Sequence, residues 1–189
     1  MISKDDLLGA ITTYCERFPQ KNDYVAHLRQ LIAGGAECLS RKEFRGHVTC
    51  SALVLGSDEK ILMIHHRTLD RWLLPGGHIE TRDISLLTAA ARELSEEVGV
   101  AFDEISAPVL WAEVPVHIDR HTIPANTGKQ EPEHEHWDFC YRLCVDRFAA
   151  ALQDAEVSDF KWCDEQTLPG RFVAVVKTMK AFEETITKS

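Results

Sequence analysis

The sequence holds no apolar run approaching the roughly 20 residues that cross a bilayer as a helix. Its opening residues, Met1-Ile2-Ser3-Lys4-Asp5-Asp6, lack the basic-then-apolar order of a signal peptide. It has no basic excess: 21 Lys and Arg stand against 30 Asp and Glu, a net charge of −9. Non-specific binding to nucleic-acid backbones rests on Lys and Arg, so no nucleic-acid partner is expected. None of the six cysteines (Cys15, Cys38, Cys50, Cys140, Cys144, Cys163) forms a C-x-x-C pair. A zinc or iron–sulfur framework is therefore disfavoured. The chain is also not small and Cys-dense, which disfavours a disulfide scaffold. The cysteines read as buried thiols of a cytoplasmic protein. Internal repeats and low-complexity tracts are absent too. What remains is an ordinary globular balance, 44% apolar and 27% charged, over 189 residues. Acidity does not exclude a phosphate ligand, because carboxylates are what hold the metal ions that bind phosphate.

Residues 1–46 read as a helical extension. Ser3 and Asp6 form a capping-box pattern, followed by Leu7, Leu8, Ile11, Tyr14, Cys15 and Phe18 at helical spacing. Pro19 stops that helix. A second stripe, Val25, Leu28, Leu31 and Ile32, ends at Gly34 and Gly35. From His47 the pattern changes to strands. Residues 47–55 and 60–65 flank a turn and predict a hairpin. Residues 71–74 are extended and end at Pro75-Gly76-Gly77. Residues 84–98 predict a helix with Gly99 as its stop. Further strands are predicted over 109–118, 136–146 and Val157–Cys163, with a long polar loop over 119–133. An amphipathic helix over 172–182 follows. Interleaved elements with antiparallel hairpins imply an α/β fold with a mixed sheet covered by helices on both faces. Residues 47–189 make the main domain within a single compact unit. The N-terminal helices either cover the sheet or form a dimer face, and a homodimer stays open.

The chemistry lies between Gly76 and Gly99. At about 100° per residue, Glu93, Glu96 and Glu97 share one face of the predicted helix. Like charges at that spacing destabilise a helix. The cost makes sense if divalent cations occupy the face, and Arg92 can hold a carboxylate in place. The segment resembles the Nudix box, G-x5-E-x7-R-E-U-x-E-E-x-G-U, where U is a bulky aliphatic. Gly77 matches the first glycine. Arg92, Glu93, Leu94, Glu96, Glu97, Gly99 and Val100 match the second half. The first half departs from the pattern by one extra residue. Counting from Gly77 puts Asp83 where the pattern has glutamate; counting back from Arg92 puts Ile84 there. Asp83 reads as a helix cap.

The resemblance implies a Nudix-type α/β/α sandwich and a hydrolase that cleaves a diphosphate linkage using Mg²⁺ or Mn²⁺. It implies Glu93, Glu96 and Glu97 as metal ligands, with the carbonyl of Gly76 as a further one. A nucleoside diphosphate linked to another moiety, of nucleotide-sugar type, is the first substrate class. A nucleoside triphosphate, or a non-catalytic nucleotide-binding module on the same fold, is the alternative. Outside the box, Glu133 or Glu135 is a candidate for a further carboxylate. His65, Arg67 and His78 are candidates for contact with the substrate. His134, His136 and Asp138 share a strand face by period-2 alternation, leaving a His-based metal site open as a separate reading.

Overall fold

The computed structural model describes residues 1–145, 152 and 156–187. Helices α1 (Lys4–Arg17) and α2 (Asn22–Ala33) form the N-terminal region, joined by a short 3-10 turn at Pro19–Lys21. The capping box at Ser3 is present: its hydroxyl accepts from the Asp6 N–H, and the Asp6 carboxylate accepts from the Ser3 N–H. A single sheet follows, built from β1 (His47–Leu55), β2 (Ile61–His66), β3 (Arg71–Leu73), β4 (Gly76–His78), β5 (His117–Ile123), β6 (His134–Cys144) and β7 (Val157–Cys163). Helix α3 (Leu86–Val98) lies between β4 and β5, and α4 (Gly170–Thr187) closes the chain.

The sheet is mixed, in the order β3-β2-β1-β6-β5, with β4 paired to β1 and β7 to β2. β1 is parallel to β6 over its full length, from His47 opposite His136 to Leu55 opposite Cys144. All nine residues of β1 are buried, as a central strand with both faces covered requires. The predicted β1–β2 hairpin is joined at Leu55 opposite Ile61. Further back along β1, its antiparallel neighbour is β4. On one face Trp137 packs against Tyr24 and His27 of α2. Phe18, which ends α1, stacks on Trp111. The N-terminal helices therefore cover the sheet, and Leu7, Ile11, Tyr14, Val25, Leu28 and Ile32 join the core. Phe172 and Val175 of α4 face the other side of the sheet.

Two expectations shift. The apolar run over 109–118 is not a strand. Pro108 and Pro115 lack the N–H groups a ladder needs, and Val109–Trp111 forms a 3-10 turn. Trp111, Val114 and Val116 are buried as packing instead. The strand begins at His117 and runs through residues expected to be loop, so the polar loop shortens to 124–133. β5 is an edge strand with one face on a cavity, which accounts for its polar residues. The strand predicted over 136–146 is observed as His134–Cys144; Asp146 lies outside the described residues. The six cysteines are free thiols, five of them buried.

Helix α3 is capped by Ser85, not by Asp83. The Ser85 hydroxyl accepts from the Thr88 N–H, and the Thr88 hydroxyl accepts from the Ser85 N–H. Gly99 ends the helix with φ 75°, its N–H donating to the Ser95 carbonyl. Ser85→Ala should lower stability by about 1 kcal/mol, read as a shift in the denaturation midpoint. An unchanged midpoint would remove Ser85 from its capping role.

Candidate active site

Helix α3 presents Arg92 inward, where it is 7% exposed. Its guanidinium makes five bonds, one for each N–H it carries. Nε donates to Asp83 Oδ1 at 2.9 Å and Nη2 to Asp83 Oδ2 at 3.0 Å. Nη2 also donates to the His78 carbonyl at 2.8 Å. Nη1 donates to Glu93 Oε1 at 2.9 Å and to Glu96 Oε2 at 3.0 Å. Asp83 is thus the bidentate partner of Arg92, and the capping role expected of it is corrected. It is 3% exposed and also accepts from the Glu80 N–H at 2.7 Å, closing the turn before the helix. A bend at 84–85 separates Asp83 from the helix, and Ile84 there is 73% exposed.

The three glutamates meet the Gly76-Gly77 backbone and the Arg92 fork. Glu97 is buried, and its Oε2 accepts from the Gly76 N–H at 2.9 Å. The Glu93 carboxyl packs directly against Gly77: a Cβ at residue 77 would stand 2.6 Å from it. At residue 76 a Cβ would stand 2.6 Å from the Cys50 carbonyl, so both positions need the close approach that glycine allows. Burial pushes the Glu93 carboxyl up to about 7; Glu96 and Glu80 push the same way, and Arg92 opposes them. Arg82 donates to both Glu80 and Glu96. Four carboxylates (Glu80, Asp83, Glu93, Glu96) therefore face two guanidiniums (Arg82, Arg92), and Glu97 adds a fifth carboxylate on the Gly76 N–H. An all-oxygen donor set with surplus negative charge fits a hard divalent cation.

On the sheet beside this loop lies a cavity of about 270 Å³. Gly76, Gly77 and His78 form one wall, Asp119, His121, His136 and Asp138 another, and Arg171, Phe172 and Val175 of α4 a third. Asp138 is held by Thr49 Oγ1 at 3.0 Å and Ser51 Oγ at 2.5 Å, and burial raises its carboxyl above the usual range. His78 sits at the junction. Its carbonyl is on Arg92 and its ring is on the cavity, with its pKa lowered to about 4 by burial, so the ring is neutral at pH 7.

Three predicted residues lie elsewhere. His65 bonds Ser158 Oγ at 2.8 Å, Arg67 donates to the Val157 carbonyl at 3.1 Å, and neither lines the cavity. The neighbouring His66 does, because alternation along β2 turns it to that face. Alternation on β6 likewise turns Glu135 away from His134 and His136. It pairs with Arg120 and stands 3.7 Å from His27 of α2, off the cavity. Glu133 is exposed. Missing from the sequence expectations were His47, Thr49, Ser51, Asp119 and His121. Only strand register reveals them, since His47 and His121 flank His136 on adjacent strands.

A family profile of the NUDIX domain matches residues 45–183, and the chain belongs to this family. A curated relative is the "Probable DHNTP pyrophosphohydrolase" of Lactococcus lactis subsp. cremoris. It is 33% identical over 121 residues, covering 61% of this chain and 68% of that protein. Among solved structures, a C. elegans Ap4A hydrolase binary complex matches with TM-score 0.56 at 12% identity, covering 73% of this chain and 98% of that one. A NUDIX-family hydrolase from Clostridium perfringens matches at 0.54 and 22% identity, covering 74% and 97%. At these identities the two structures bear on the fold alone.

Proposed function

We propose that this Nudix protein is a metal-dependent pyrophosphohydrolase that cleaves a diphosphate linkage in a small molecule. Glu93, Glu96 and Glu97 would hold Mg²⁺ or Mn²⁺, with the Gly76 carbonyl as a further ligand. The observation that carries this reading is the convergence of Glu93 and Glu97 on the Gly76-Gly77 backbone at the edge of the cavity. A divalent ion held by these residues would supply charge neutralisation at the phosphate oxygens and Lewis-acid activation of a water. Arg92 positions Glu93 and Glu96 and the loop carbonyl of His78. Arg171 and His78 meet the polar part of the substrate, and Phe172 and Val175 provide an apolar wall for a ring. Asp138 accepts hydrogen bonds from N–H groups of that ring.

The sequence ranks a nucleoside-diphosphate conjugate first. The relative named for DHNTP moves the weight toward a triphosphate carrying a heterocycle. A phosphate-release screen separates the two. It uses the full chain with Mg²⁺ or Mn²⁺ against nucleotide sugars, dinucleotides, nucleoside triphosphates and DHNTP. The expected result is metal-dependent turnover of the triphosphate class. Turnover of nucleotide sugars instead would restore the first ranking. Binding without turnover across the panel would overturn the hydrolase reading in favour of a regulatory module.

A further inference from the structure

The face of the sheet that carries the cavity also carries imidazoles that the proposed chemistry leaves unused. His47 on β1 and His136 on β6 are register partners on parallel strands. His134 is two residues before His136 and so shares its face. One ring nitrogen from each of the three lies within 4.8 Å of the other two. His78 stands 5.2 Å, ring to ring, from both His47 and His136.

The hydrogen bonds decide which nitrogen is available. His47 Nδ1 lies 3.2 Å from the Glu43 carbonyl and His134 Nδ1 lies 2.8 Å from the Pro132 carbonyl. A carbonyl can only accept, so both Nδ1 atoms carry the proton and both Nε2 atoms present lone pairs. Histidine ligands are commonly oriented this way, the second nitrogen donating to a backbone carbonyl or carboxylate. The Nε2 of His47 is buried with no hydrogen-bond partner among the described residues. An unmet buried acceptor of this kind costs stability unless something else satisfies it. The Nε2 atoms of His134 and His136 are hydrogen-bonded at 3.3 Å, His136 donating, and metal binding would move that proton to His136 Nδ1. Two nitrogens on one tetrahedral ion, each 2.0–2.1 Å from it, stand roughly 3.3–3.4 Å apart.

We propose that His47, His134 and His136 form a second metal site, separate from the glutamate face, which takes a divalent transition ion such as Zn²⁺ through three Nε2 atoms. Three neutral nitrogen donors suit such an ion and do not suit Mg²⁺. His136 lines the cavity, so the fourth coordination position is supplied from that side, by His78 or by a ligand in the cavity.

The test is a Co²⁺ titration of the chelator-stripped full chain, read by visible absorption, followed by Zn²⁺ displacement. One tight equivalent with the intense absorption of four-coordinate cobalt is expected. It should persist in Glu97→Gln. In the His47→Gln/His136→Gln double variant, checked for folding by circular dichroism, affinity should fall by more than about 100-fold. That exceeds the 10–100-fold cost of disturbing only a supporting hydrogen bond. Weak, octahedral-type absorption in the wild-type chain would overturn the site, whether or not the double variant folds. So would a cobalt signal that disappears in Glu97→Gln. Weak absorption leaves the hydrolase reading untouched, and loss in Glu97→Gln would place the cobalt on the glutamate face in keeping with it; the test of that reading is phosphate release.

Discussion

Asp83→Ala is expected to destabilise the protein by about 3–5 kcal/mol, the usual cost of removing one partner of a buried ion pair. Both partners are nearly inaccessible to water, at 3% for Asp83 and 7% for Arg92. Two of the five guanidinium bonds end on Asp83. Removing it leaves a buried charge short of acceptors and leaves the Glu80 N–H without the oxygen it bonds. A loss of this size is a large fraction of the 5–15 kcal/mol that stabilises a typical domain. Turnover should fall as well, because Arg92 orders Glu93, Glu96 and the His78 carbonyl. Urea denaturation of Asp83→Ala, Arg92→Leu and the double variant checks the assignment. The double variant should cost much less than the sum of the singles, since coupled partners are not additive. A loss near 1 kcal/mol for Asp83→Ala, the size of a helix cap, would show that Arg92 is held by something else.

The role of Asp83 also marks the limit of what could be read from the chain. The second half of the box was legible because its carboxylates and the apolar stripe follow one helical period. Leu94 and Val98 are buried, as the stripe requires. Asp83 was not legible, because its partner is set by a bend that no periodicity encodes. Ser85 and Asp83 are both residue types that cap helices, and only the observed hydrogen bonds tell them apart. The polar face around the cavity was legible only in part. His134, His136 and Asp138 followed from alternation on one strand, and of these His136 and Asp138 line the cavity. His47 and His121 join them through the β1–β6 and β5–β6 registers, which are long-range pairings. The same pairing explains β5, where polar residues that read as loop are held in a strand by seven register partners on β6. Glu135 was chosen for its charge and its position beside the cluster. A one-residue offset on a strand is enough to place it on the opposite face.

Glu97→Gln carries the largest expected effect on turnover. Its carboxylate is buried, and one oxygen is fixed by the Gly76 N–H. Glutamine keeps the shape and retains a carbonyl oxygen that can accept from the same N–H, so the loop and the fold should survive. The charge is lost, and with it a strong oxygen donor for a divalent cation. A group that stabilises developing charge on transferring phosphate is worth on the order of 10²–10³ in rate when removed. Turnover of the best substrate should therefore fall by at least that factor, with denaturation within about 1 kcal/mol of wild type. The two readouts must separate for the assignment to hold. A rate that falls only in proportion to lost folded protein would make Glu97 a structural anchor of the Gly76 turn. A rate near wild type, with the fold intact, would move the essential metal away from α3, leaving the cluster of His47, His134 and His136, which reaches the cavity through His136, as the other donor set.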